Sequence, residues 1–151
     1  MFKINRKLEY ALIALKHMHA KHQGELTTAK EICTAYNAPF DATARVLQVL
    51  AAKGVLSVEH GSHGGYVLLK DLNKVTLLDL CEWILGPMKL ADCLSDEGEE
   101  CTMTSDCNII TPIRTLNNRL KDFYKDLSVR EIIESGHHDA RKDKTAEHID
   151  V

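Results

Sequence analysis

Near the start of the chain, apolar residues recur at helical spacing. Leu8, Ala11, Leu12, Leu15 and Met18 share one stripe, which predicts an amphipathic helix over 5–22 with Asn5 as its cap. Gln23-Gly24 ends it. Thr27 or Thr28 then caps a second helix running to about Tyr36, with Glu31 placed for a capping box. Asn37-Ala38-Pro39 reads as a turn. A third helix follows over about 40–53, with Phe40, Ala44, Leu47 and Leu50 inward and Gly54 past its end. The pattern then changes to β-rich runs, Val55-Leu56-Ser57-Val58-Glu59 and Tyr66-Val67-Leu68-Leu69. His60-Gly61-Ser62-His63-Gly64-Gly65 joins them, which predicts a hairpin with a glycine-rich tip. Three helices and a hairpin in that order make a winged helix-turn-helix.

Thr76 caps a fourth helix, about 76–86, stopped by Gly86-Pro87. Residues 91–108 have no periodicity. From Ile109 a long helix carries Ile109, Ile113, Leu116, Leu120, Phe123 and Leu127 at alternating steps of four and three, a heptad seam with Arg114, Arg119, Lys121 and Lys125 off it. Such a seam needs a partner surface, either the chain's own core or a second copy. The two-fold symmetry usual for helix-turn-helix proteins favours the second copy. Ser128 and Glu131 mark a last short helical turn. The expected fold is mainly α with a small β-hairpin. It comprises a winged-helix DNA-binding domain (1–75), a linking helix (76–90), a cysteine-bearing loop (91–108), a dimerisation helix (109–134, pairing through 109–127) and a disordered tail (135–151).

Charge sharpens this picture. The 151-residue chain has net charge −3, which by itself argues against a nucleic-acid binder. Residues 1–80 carry +3, however, residues 81–108 carry −6, and residues 109–151 balance, so the winged half is mildly basic. No apolar run approaches the roughly 20 residues that span a bilayer, and Met1-Phe2-Lys3-Ile4-Asn5-Arg6-Lys7 shows no secretory signal. With five cysteines, an odd number, thiolate chemistry in a cytoplasmic protein is expected over a disulfide scaffold. No P-loop, GxGxxG or Ser/His/Asp pattern is present, and the eight histidines scatter, so an enzyme is not expected.

The third helix would enter the major groove, presenting Asp41, Thr43, Arg45 and Gln48. Arg45 suits a bidentate guanine contact or a phosphate, whereas Asp41 suits the helix dipole. In the wing, His60, Ser62 and His63 reach toward phosphates or the minor groove, and Gly64 lets the main chain approach the sugar-phosphate wall.

Cys93, Cys101 and Cys107 are spaced C-x7-C-x5-C in the unpatterned segment. Soft thiolates on a loop suit an iron–sulfur cluster or zinc; a thiol switch or uninvolved thiols fit the same spacing. Cys33 and Cys81 sit inside helical patterns and read as small buried hydrophobes.

These features together resemble the Rrf family of bacterial winged-helix regulators, the group that includes IscR, NsrR and RirA. The resemblance spans about residues 1–134. It rests on Glu9-Tyr10-Ala11-Leu12, on the wing run Gly61-Ser62-His63-Gly64-Gly65-Tyr66-Val67-Leu68, and on the three-cysteine loop before the long helix. It implies a homodimer with crossed long helices and binding to a double-stranded DNA operator that depends on cluster state. IscR-like members take a fourth ligand from a histidine three residues after the last cysteine, where this chain has Ile110. NsrR-like members take a carboxylate from the first helix of the partner, a position that Glu9 matches. The ligand pattern is nearest to NsrR, and Cys93, Cys101, Cys107 and Glu9 favour 4Fe–4S over 2Fe–2S. The implied function is a transcriptional regulator, such as a repressor, that senses nitric oxide, redox state or iron. The alternative is a cluster-free regulator controlled by thiol oxidation, zinc or a protein partner.

Overall fold

The computed structural model describes residues 3–94 and 107–135. Helix α1 (Arg6–His19) is capped by the Asn5 side chain, which accepts from the Lys7 N–H. Its buried stripe of Leu8, Ala11, Ala14, Leu15 and Met18 packs against the third and fourth helices and reaches the second, the sixth and the hairpin. It ends three residues before the expected stop. Lys21, just beyond it, donates to the Leu26 carbonyl at 3.0 Å and turns the chain toward the next element.

Helix α2 (Ala29–Tyr36) is capped by Thr28, whose hydroxyl accepts from Glu31 N–H. Thr27, the other candidate cap, is fully buried and pairs with the hairpin: its N–H donates to the Tyr66 carbonyl at 2.8 Å and its carbonyl accepts from Tyr66 N–H at 2.9 Å. The Glu31 carboxylate turns to His17 Nε2 at 2.7 Å and to the Lys21 ammonium. Burial works to raise the Glu31 pKa, but the hydrogen bonds and charges of Lys21 and His17 outweigh it and hold the carboxyl below its ordinary range. Helix α2 is thereby tied to α1 by the His17 hydrogen bond as well as by Ile32 in the core.

Asn37, left-handed at φ 51°, closes α2, and Pro39 opens α3 (Phe40–Ala52). Thr43, Val46, Leu47 and Leu50 face the core. The expected inward set is corrected here. Phe40 is 57% exposed, because the stripe on which it lies runs one turn past the edge of the core.

Strands β1 (Leu56–Glu59) and β2 (Gly65–Leu68) form an antiparallel hairpin with Leu56 opposite Leu68 and Glu59 opposite Gly65. Gly65 is where the hairpin meets the entry to α2. A Cβ there would collide with Leu26 Cδ2 and lie 2.8 Å from the Thr27 carbonyl oxygen. Since the backbone oxygen cannot swing away, Gly65→Ala is expected to destabilise the fold by about 1–3 kcal/mol. Urea denaturation should show a lowered midpoint at unchanged slope.

After a 3-10 turn at Leu72–Lys74 comes α4 (Leu77–Leu85), with a complete capping box between Thr76 and Asp79, both bonds 3.0 Å. Helix α5 (Ile110–Asp126) packs on α4. Helix α6 (Val129–Glu134) is sewn back by two backbone bonds of 2.8 Å, Leu77 N–H to the Leu127 carbonyl and Val129 N–H to the Val75 carbonyl. Val129 and Ile133 are buried in the same core as Leu15, Leu47 and Leu80. The end of the 109–134 segment thus belongs to the winged-helix core, while α5 packs on it through α4 and Tyr124. The assigned tail falls largely outside the described residues.

Candidate nucleic-acid interface and cysteine site

Because the inward stripe of α3 is filled by Thr43, Val46, Leu47 and Leu50, its complement is free: Asp41, Arg45 and Gln48 are exposed. They line an open groove with Ala44, Val49 and Ala52. Thr43 does not join them. It is fully buried, and its hydroxyl has no hydrogen-bond partner among the described residues. Its expected contact with DNA is therefore corrected: four residues before Leu47 and seven before Leu50, it sits on the core side.

In the wing, His60, Ser62 and His63 are exposed. Ser62 Oγ and His63 Nδ1 lie 3.1 Å apart. Gly61 holds φ +115° and its carbonyl accepts from the Gly64 N–H at 3.1 Å. A Cβ on Gly64 would strike the Glu59 carbonyl oxygen. Gly64 therefore shapes the tip, while its own N–H is spent inside the hairpin. Helix α3 and the hairpin are both held on α1, with exposed polar side chains on each.

Cys93 lies in a 3-10 turn (Asp92–Leu94) and Cys107 three residues before α5; both are half-buried free thiols. Cys101 lies outside the described residues. The segment is fixed close to its start by Asn117, a buried residue of α5, whose Oδ1 accepts from the Leu90 N–H at 3.0 Å. Its far end runs directly into α5. Both ends of the cysteine segment are therefore mounted on one helix. Thiols such as those of Cys93 and Cys107 are donors that iron–sulfur clusters and zinc accept. Among the described residues, no group of three His, Cys, Asp or Glu is gathered for a metal, so a tripod requires Cys101.

Glu9 is half-buried on α1 and pairs with Arg6 at 2.9 Å. At that exposed i,i+3 spacing the pair is worth under about 1 kcal/mol, so the carboxylate is readily released to another partner. Ile110 opens α5. Cys81 is buried, and burial, with a smaller contribution from the Glu82 charge, pushes its thiol up to about 11. It stays protonated at neutral pH, a poor ligand and a good core residue. Cys33 is half-buried in α2.

On α5, the expected seam divides in two. Ile113, Leu120 and Leu127 are half-buried, whereas Ile109, Leu116 and Phe123 are 55%, 50% and 59% exposed. Those three recur every seven residues as an uncovered apolar line. No helix among the described residues is long and apolar enough to cross a membrane.

Comparison with known proteins agrees with this architecture. An HTH-type transcriptional regulator of Aquifex aeolicus (strain VF5) is 28% identical over 128 residues, 83% of this chain and 88% of that protein. The fold is similar to that of CymR, the global cysteine regulator of B. subtilis, with TM-score 0.66 and 22% identity over 89% of this chain and 98% of CymR. It is also similar to T. potens IscR, with TM-score 0.61 and 15% identity over 89% of this chain and 88% of IscR. The family described as Rrf2, iron-dependent transcriptional regulator, matches residues 4–135. The chain therefore belongs to the Rrf2 family of DNA-binding transcriptional regulators.

Proposed function

We propose that the protein is a homodimeric regulator whose operator affinity is set by an iron–sulfur cluster held on Cys93, Cys101 and Cys107, with Glu9 of the partner subunit completing the site. The observation that carries this reading is the mounting of the cysteine segment on α5: Asn117 secures its start, and Cys107 leads straight into the helix. When bound, such a cluster supplies an inorganic centre that responds to redox state, nitric oxide or iron supply. The remaining work belongs to the chain. The thiolates would tie the two ends of the segment to one centre beside α5, and the Glu9 carboxylate, a hard donor among soft ones, would make the most easily vacated bond. Helix α5, pairing with its counterpart through Ile109, Leu116 and Phe123, sets the separation of the two α3 helices. Half-sites lie one helical turn apart, about 34 Å, so a shift of a few ångströms in that separation breaks register.

A second reading is supported by Cys93 and Cys107 being free thiols, half-accessible to solvent: the same loop acting as a thiol switch or zinc site without iron. Metal and sulfide analysis separates the two.

DNA binding itself is tested by selecting an operator from randomised duplex and measuring affinity by fluorescence anisotropy. Arg45→Ala is expected to weaken binding by about 1–3 kcal/mol and relax preference at one guanine. Uniform weakening across sequences would instead mark Arg45 as a phosphate contact.

A further inference from the structure

Phe40 is the first residue of α3 and is 57% exposed. Across the Asn37-Ala38-Pro39 turn stands Tyr36, 47% exposed, whose hydroxyl is engaged by His17 Nδ1 at 2.9 Å. The tyrosine thus has a structural tie to α1, whereas phenylalanine has no polar atom with which to make one. By helical rotation Phe40 is next to Ala44, at the border between the buried stripe and the exposed face of Asp41, Arg45 and Gln48. A large apolar ring is therefore held in solvent at the leading edge of the helix.

The first residues of a recognition helix meet base edges in the major groove. Base edges there are hydrogen-bonding groups with one exception, the C5-methyl of thymine. We infer that Phe40 is a specificity-determining residue that packs on a thymine methyl, so that each operator half-site carries a T·A pair opposite the start of α3. This inference rests on α3 being the recognition helix. It explains why an aromatic side chain is held out of the core at a point where a polar residue would be the ordinary choice.

Replacing thymine by deoxyuracil removes the methyl and leaves every hydrogen-bonding edge in place. The full-length protein is first used to select an operator from randomised duplex DNA. Each thymine of that operator is then changed to deoxyuracil in turn, and affinities are measured for wild type, Phe40→Ala and Phe40→Leu. One thymine per half-site is expected at which uracil weakens wild-type binding about fourfold, the factor for burying one methyl-sized group. Phe40→Ala should bind thymine and uracil operators equally while melting at the wild-type temperature, since the ring is outside the core. Phe40→Leu should retain part of the discrimination, and it serves as the test should alanine disturb the helix start. A selected operator with no methyl-dependent position, or the same discrimination in wild type and both variants, overturns this inference alone. Failure to select any sequence overturns the recognition-helix reading, and this inference with it.

Discussion

Phe123→Glu is expected to convert the protein to a monomer and to weaken operator binding by about two orders of magnitude or more. In a single chain the phenylalanine is 59% exposed and forms one line with Leu116 and Ile109, so glutamate there leaves the chain's own core untouched. In the proposed dimer, two-fold symmetry places the change twice in one interface. Two carboxylates would be desolvated without partners, each costing several kcal/mol. Loss of a central aromatic anchor adds about 2 kcal/mol or more. The dimer dissociation constant should therefore rise by at least about 1,000-fold. Sedimentation equilibrium reads the mass, and circular dichroism should show unchanged helix content. A variant that remains dimeric would place the interface elsewhere and leave the apolar line of α5 unexplained.

The second large effect concerns the cysteines. Cys107→Ser, and equally Cys93→Ser, should yield anaerobically purified protein without iron or sulfide, because the alkoxide that serine would need to replace a thiolate is inaccessible near neutral pH. Cys81→Ser is the matched control. Its thiol is buried and protonated, so the serine protein should keep its iron and lose only about 1–3 kcal/mol of stability from a buried hydroxyl. Glu9→Ala should retain the cofactor in a more labile form, seen as faster bleaching in air, since its bond with Arg6 contributes little to the fold. If Cys107→Ser keeps full iron and sulfide, the ligand assignment is wrong.

What the sequence disclosed was mostly local. Asn5, Thr28, Thr76 and Ser128 each cap the helix that follows them, because a cap is a bond between residues two or three apart. The hairpin was legible for the same reason, its glycines marking the tip. Phe40 and Thr43 were misjudged because helical periodicity gives the direction of an apolar stripe but not where the core beneath it ends. Thr27 looked as good a cap as Thr28, and its pairing with Tyr66 across 39 residues of chain leaves no local mark. The tie from His17 to Glu31 and Tyr36 joins α1 to α2 and is equally invisible in one dimension. The cap of α6 was legible at Ser128, but its burial depends on backbone bonds between residues about 50 positions apart, which leave no local mark. For the cysteines, spacing offers three candidate donors but not their arrangement, since a segment without periodicity does not fix where its side chains point.

An inorganic cluster on the cysteine segment is proposed to govern how tightly α3 grips DNA. The most direct measurement is iron and acid-labile sulfide in protein purified without oxygen, with operator affinity determined on the same sample before and after the iron is stripped. About four iron and four sulfide per chain are expected, with an affinity that changes by roughly 5–150-fold on stripping. A colourless protein containing zinc, or identical affinity in both states, would contradict it.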